Sequence, residues 1–281
     1  IVPLPTTIDE SFHLPSREVI SRYITGKTRA ILYSSPGNPT GVIYSRQEME
    51  TLAEIALAKG IFLISDEVYR EFIYDPSVSF SSVFDFPEIK HQAILTDSIS
   101  KRFSSCGARV GFLATANEEV LSAVHKFAQA RLSSPTVEQR AAEAAYRMDP
   151  SYFHPIRAEY RLRRDTLTAG LQAIDGVELH VPEGAFYLMV RLPVDDAERF
   201  AIFLLSEFAY QGKTVMVAPA NGFYSTPGKG VDEVRIAYVL NQERLVESIR
   251  IIERALTVYR EKTERKIGVC DLTDSDDFGK S

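Results

Sequence analysis

Tryptophan is absent from the 281 residues and cysteine is nearly so, with only Cys106 and Cys270. Two cysteines so far apart, with no further ligand at metal spacing, exclude a disulfide framework and a cysteine-held zinc, and they suit a reducing cytoplasm. No apolar run approaches the ~20 residues that a membrane-spanning helix requires. The opening Ile1-Val2-Pro3-Leu4-Pro5 has no basic stretch leading into an apolar core, so neither export nor membrane attachment is expected. An excess of basic charge is also missing: 32 Lys and Arg are scattered among 38 Asp and Glu for a net charge of -6, which argues against nucleic-acid binding. The chain carries no initiating Met and is expected either to begin inside a longer polypeptide or to have been processed.

What is present is an ordinary globular composition, 45% apolar and 25% charged, over a length that accommodates two cores. In the first half, apolar runs at 30–34, 61–65, 93–96 and 110–115 alternate with helical patterns, the rhythm of an α/β domain with a mostly parallel sheet flanked by helices. The clearest helix lies between the first two runs. Ser45 and Glu48 form a capping box, Met49, Leu52, Ala53 and Ala56 follow at helical spacing, and Gly60 ends it. Further helices are expected after Ser16, after Asn117, and after Ser134, with Pro135 in the first helical position.

Near Asp149-Pro150 the order of elements changes. A charged helix over 155–174 leads to strand patterns at 177–181, 186–192, 214–218 and 233–239, with helices over 195–210 and 242–262. The expected organisation is a large α/β domain over 1–150, a smaller α+β domain over 151–267, and a mobile, acidic tail over 268–281.

Three polar clusters follow the apolar runs of the first domain, where an open parallel sheet places its ligands. Ser35-Pro36-Gly37-Asn38-Pro39-Thr40-Gly41 follows the first run, and its composition also makes an ordinary turn. Ser65-Asp66-Glu67-Val68-Tyr69 closes the second, with an acid that could equally cap a helix or pair at the surface. The third is Ser98-Ile99-Ser100-Lys101, with Arg109 eight residues after the lysine. A lone lysine is usually a solvated surface group. Here two hydroxyls and an arginine stand close enough in sequence to hold a phosphate dianion, with small residues between them allowing close backbone approach.

In this order the clusters resemble the class I/II aminotransferases, fold type I pyridoxal phosphate enzymes related to aspartate aminotransferase, whose pattern is Asn-Pro-x-Gly, Asp-x-x-Tyr, Ser-x-x-Lys and a late arginine. The likeness runs from about residue 15 to about residue 260. It implies a Schiff base between Lys101 and pyridoxal 5'-phosphate. It also implies that Asn38 and Tyr69 bond the cofactor's phenolic oxygen, with Asn38 lying near substrate as well. Asp66 would pair with the pyridine nitrogen, and Ser98, Ser100 and Arg109 would hold the phosphate. Arg235, in Glu233-Val234-Arg235-Ile236, would take the substrate carboxylate as a two-pronged fork, although an arginine on a strand can also serve in a surface ion pair. Gly184-Ala185-Phe186-Tyr187 resembles the family's segment facing the active site, or begins a strand with core aromatics. An anionic Asp66 would keep the ring nitrogen protonated and the ring able to accept electrons, and Lys101 in its neutral form would serve as nucleophile and proton carrier.

Relatives carry an N-terminal stretch with a glycine-rich, phosphate-binding helix start and an aromatic that stacks on the pyridine. The resemblance implies that this chain lacks both, since only 37 residues precede Asn38. It further implies amino acid and 2-oxo acid substrates, and a homodimer for the complete protein. Two other readings use the same residues: a pyridoxal phosphate lyase, racemase or decarboxylase, and a truncated domain with impaired catalysis.

Overall fold

The computed structural model describes residues 1–273, with side chains through 263. They form two compact units, one of residues 1–161 together with 181–187, the other of 162–180 and 188 onward.

In the first unit, helix α1 (Arg17–Tyr23) precedes β1 (Ala30–Ser34), α2 (Arg46–Lys59), β2 (Phe62–Asp66) and β3 (Ala93–Ser98). The short helix α3 (Ile99–Arg102), β4 (Gly111–Ala114), α4 (Glu118–Ala130) and α5 (Thr136–Tyr146) follow. The sheet order is β1-β2-β3-β4, with the first three strands parallel and β4 antiparallel to β3. β1 is an edge strand, and Leu32 at its centre is 72% exposed.

The ends of α2 lie where the sequence puts them. Ser45 accepts from the Glu48 amide while the Glu48 carboxylate accepts from the Ser45 amide, and Gly60 closes the helix in the left-handed region at φ 62°. Between these caps Met49, Leu52, Ala53 and Ala56 are buried together with Leu63, Ala93 and Leu95, so α2 seals one face of the sheet. α4 begins at its expected cap, Asn117, whose side chain accepts from the Val120 amide, yet none of its residues is buried. α5 starts one residue later than expected, with Pro135 as its cap rather than in its first turn.

Helix α6 (Phe153–Gln172) carries the chain from the first unit to the second. The division falls inside this helix, beyond the change of rhythm near 150, because its first turns belong to the first unit. There Phe153 packs on Phe103, Arg157 bonds Glu71, and Tyr160 stacks on Phe186. The second unit holds β5 (Glu178–Leu179), β6 (Tyr187–Arg191), α7 (Ala197–Ser206), β7 (Ala218–Pro219), β8 (Glu233–Ala237) and α8 (Gln242–Thr273), with sheet order β5-β6-β8-β7. The expected strand at 214–218 shrinks to its last residue plus Pro219. The preceding residues are tied elsewhere: Lys213 and Tyr210 exchange backbone bonds, and the Thr214 hydroxyl donates to the Leu204 carbonyl at 2.6 Å. α8 runs on to Thr273, into the segment expected as a tail, and 274–281 lie outside the described residues.

The capping box is expected to carry measurable stability. Ser45→Ala should lower the unfolding free energy by about 1 kcal/mol in urea denaturation.

Candidate active site

The parallel ladder aligns Ser34 with Asp66 and Asp66 with Thr96, so three adjacent strands end in one row. Each chain leaves the sheet there within two residues, and each exit carries one of the three polar clusters.

After β1, Ser35 donates its amide to the Asp66 carbonyl at 3.2 Å, and its hydroxyl accepts from the Tyr44 amide at 3.2 Å. The loop then closes on itself through Gly37 N–H to the Val42 carbonyl and Gly41 N–H to the Gly37 carbonyl, both 2.9 Å. Asn38 stands exposed at its tip. The turn reading of this segment and its placement at the strand ends hold together.

After β2, Asp66 accepts from the Val68 amide at 3.2 Å and is neither a helix cap nor fully exposed. Burial pushes its carboxyl above the ordinary range, opposed by the bond from Val68. Glu67, to which the sequence reading gave no role, is fully buried. It accepts from Ser65 Oγ, Ser82 Oγ and the Val83 amide at 3.2, 2.9 and 3.0 Å, fastening the 82–83 turn to the strand end. Burial also raises Glu67, against those bonds and the Arg70 guanidinium. Tyr69 is buried, and its hydroxyl pairs with that of Tyr187 at 3.0 Å.

After β3, Ser98 caps α3, its side chain accepting from the Ser100 amide at 3.3 Å. Lys101 lies in this turn with its amine 5.8 Å from the centre of the Phe186 ring. Arg109 follows in left-handed conformation at φ 56°, exposed, with its guanidinium donating to the Cys106 carbonyl at 3.0 Å.

The wall facing Lys101 comes from far along the chain. Residues 183–187 return to the first unit, where Glu183 and Gly184 donate to the Gly41 carbonyl and Ala185 donates to that of Phe72. The Tyr74 hydroxyl donates to the Ala185 carbonyl. Contact is close enough that side chains are excluded at two points. A Cβ on Gly41, itself at φ 72°, would sit 2.3 Å from Pro182, and one on Gly184 would sit 2.7 Å from the Phe72 carbonyl. Phe186 is thereby held edge-on to Tyr69 and Phe72, at 5.2 and 5.1 Å. The aromatics of 184–187 form a core with Tyr69 and Phe72, and Lys101 lies beside that core. The hydroxyl of Tyr187 had no signal in the sequence beyond its place in this segment.

Asn38, Asp66, Tyr69, Ser98, Ser100 and Lys101 thus lie on the strand-end edge of one unit, and Arg109 lies on the loop after α3. Arg235 belongs to the second unit, on β8 opposite Ala218, where its guanidinium lies 4.9 Å from the Phe223 ring centre. The edge offers an amine for an aldehyde, a half-buried acid for a ring nitrogen, a phenol, and hydroxyls for a phosphate. That donor set fits pyridoxal phosphate.

A mostly parallel sheet with this row of groups and a second four-stranded sheet define the fold type I architecture. Solved structures agree. The aromatic aminotransferase from Pyrococcus horikoshii OT3 superposes with a TM-score of 0.81 at 29% identity, covering 92% of this chain and 67% of that one. Aspartate aminotransferase from Thermotoga maritima gives 0.78 at 33%, covering 90% and 62%. The family model for Aminotransferase class I and II matches residues 1–252, and the chain belongs to that family, whose cofactor is pyridoxal phosphate. Among curated relatives, a probable aspartate/prephenate aminotransferase of Aquifex aeolicus is 33% identical over 257 residues, which are 91% of this chain and 64% of the relative. Aromatic-amino-acid aminotransferase 2 of Thermococcus litoralis is 32% identical over 260 residues, again 64% of its length. The chain therefore spans somewhat less than two thirds of these curated relatives.

The raised carboxyl of Glu67 has a consequence for stability. The folded state keeps its proton to higher pH than the unfolded chain, so stability present below the unfolded value of 4.5 is lost as pH rises through the folded one. Glu67→Gln should make the urea midpoint fall less steeply above pH 4.5 than it does in the parent protein.

Proposed function

We propose that the complete protein is a pyridoxal phosphate-dependent aminotransferase, moving an amino group between an amino acid and a 2-oxo acid. The observation that carries this is the register that brings Asp66, Asn38 and Lys101 to adjacent strand ends. When bound, pyridoxal phosphate supplies an electron sink for the pair released at a substrate's α-carbon. Lys101 would attach it through its amine, and that amine in its neutral form would take up and return a substrate proton. An anionic Asp66 would pair with the protonated ring nitrogen, and its half-buried setting would make that interaction stronger than in water. Tyr69, fixed by Tyr187, and Asn38 orient the phenolic oxygen, while Ser98, Ser100 and Arg109 bind the phosphate.

Arg235 receives the substrate carboxylate, and its guanidinium lies 4.9 Å from the Phe223 ring centre. The relatives' names range from aspartate to aromatic amino acids, which supports α-amino acids as the substrate class. A homodimer in the cytoplasm completes the reading. It is supported by the family likeness and by the scarcity of cysteine, and no helix among the described residues is long and apolar enough to cross a membrane.

Borohydride reduction after addition of pyridoxal phosphate should place the label on the Lys101 peptide, and a label confined to other lysines would refute the assignment. Lys101→Ala should remove the absorbance of the Schiff base between lysine and cofactor, and all turnover. Arg235→Lys should raise KM for the amino acid by about tenfold or more with a smaller change in kcat, because a point charge replaces a fork. An unchanged KM would rule out Arg235 as the carboxylate site.

A further inference from the structure

Lys101 sits on a helix of four residues, too short to persist on its own hydrogen bonds. Its direction must come from what anchors it. At the start, Ile99 is buried and donates its amide to the Val110 carbonyl at 3.2 Å, while Asp97 accepts from the Ser98 amide at 2.6 Å. At the end stands Arg102, whose side chain is only 10% exposed. One terminal nitrogen donates to Asp97 at 2.6 Å, and the other lies 3.7 Å from Glu71, two residues beyond Tyr69. Glu71 is in turn held by Arg157, which donates to both its side chain and its carbonyl. The guanidinium also lies 5.1 Å from the ring centre of Tyr146.

Arg102 Nε remains buried without a hydrogen bond among the described residues. A buried donor left unmade marks a geometry kept at a cost. Consecutive helical residues point ~100° apart, so fixing Arg102 fixes the azimuth of Lys101.

We propose that Arg102 is a positioning residue for Lys101: by joining Asp97 on β3 to Glu71 beyond Tyr69, it sets the rotation of α3 and the direction in which the lysine amine emerges. This rests on the reading of Lys101 as the cofactor lysine. Burial holds the Asp97 carboxyl up at about 6 even against the neighbouring Arg102, which opposes that shift more than any other group and so serves Asp97 as its main counter-ion. The connection also ties the two strand exits, Asp66 to Tyr69 and Ser98 to Lys101, into one unit.

The test measures the initial rate at which pyridoxal phosphate with borohydride labels Lys101, by peptide mass spectrometry. It uses the full chain at a urea-verified folded fraction matched to that of the parent protein. Arg102→Met should slow labelling of Lys101 by about tenfold or more while the exposed Lys27 and Lys59 label at parent rates, since misplacement of about 1 Å has effects of this size or larger. Arg102→Lys, which keeps the charge beside Asp97, should recover most of the rate. If the Met variant does not fold, Glu71→Gln serves in its place and should slow Lys101 labelling by about threefold, through the same misplacement. Parent-rate labelling of Lys101 in a folded Arg102→Met or Glu71→Gln protein overturns the inference alone. Failure of Lys101 to label in the parent protein overturns the reading of the site, and the inference with it.

Discussion

The parallel hydrogen-bond ladder joining β1, β2 and β3 is the constraint on which the rest depends. Side chains alternate along a strand, and a slip of one residue would turn every one of them to the opposite face. With Ser34, Asp66 and Thr96 in one row, Asn38, Asp66 and Lys101 emerge on the same edge although they are spread over 64 residues of sequence. The apolar residues beneath, Leu63 and Leu95 among them, hold that register by burying one face against α2. Core packing and site geometry are therefore two results of the same alignment.

A second constraint acts from the distal end of the chain. The segment 183–187 lies among first-unit residues although helix α6 and β5 separate it from them in sequence. Its backbone is bonded to Gly41 and Phe72, and its aromatic rings meet Tyr69 and Phe72 edge to face. Such pairs contribute roughly 0.5–1.5 kcal/mol each beyond burial. Tyr69 is thus fixed by residues more than a hundred positions away, and the two glycines that permit this approach have no freedom to vary.

Local signals made much of this legible in the sequence. The Ser45–Glu48 box, the Gly60 stop and the Asn117 cap each act within a few residues, and all three appear as read. The three polar clusters were legible for a similar reason, being short motifs next to apolar runs. What the sequence hid depends on distant partners. Pairing of Tyr69 with Tyr187, the counter-ion role of Arg102 and the burial of Glu67 under Ser82 arise only when strands are side by side. The same holds for Thr214, which opens a strand-like stretch but bonds to α7 instead, and for α6, whose single helical pattern conceals a change of unit.

The edge position of β1 has a consequence of a different kind. Its centre carries Leu32, 72% exposed, on a strand whose outer side is not paired with another strand among the described residues. An apolar edge of this sort is a template for one more strand, and natural sheets guard it with charge, proline or a bulge. None of these interrupts Ala30–Ser34. Pairing through β1 is therefore the expected route by which two copies of the chain would associate at high concentration.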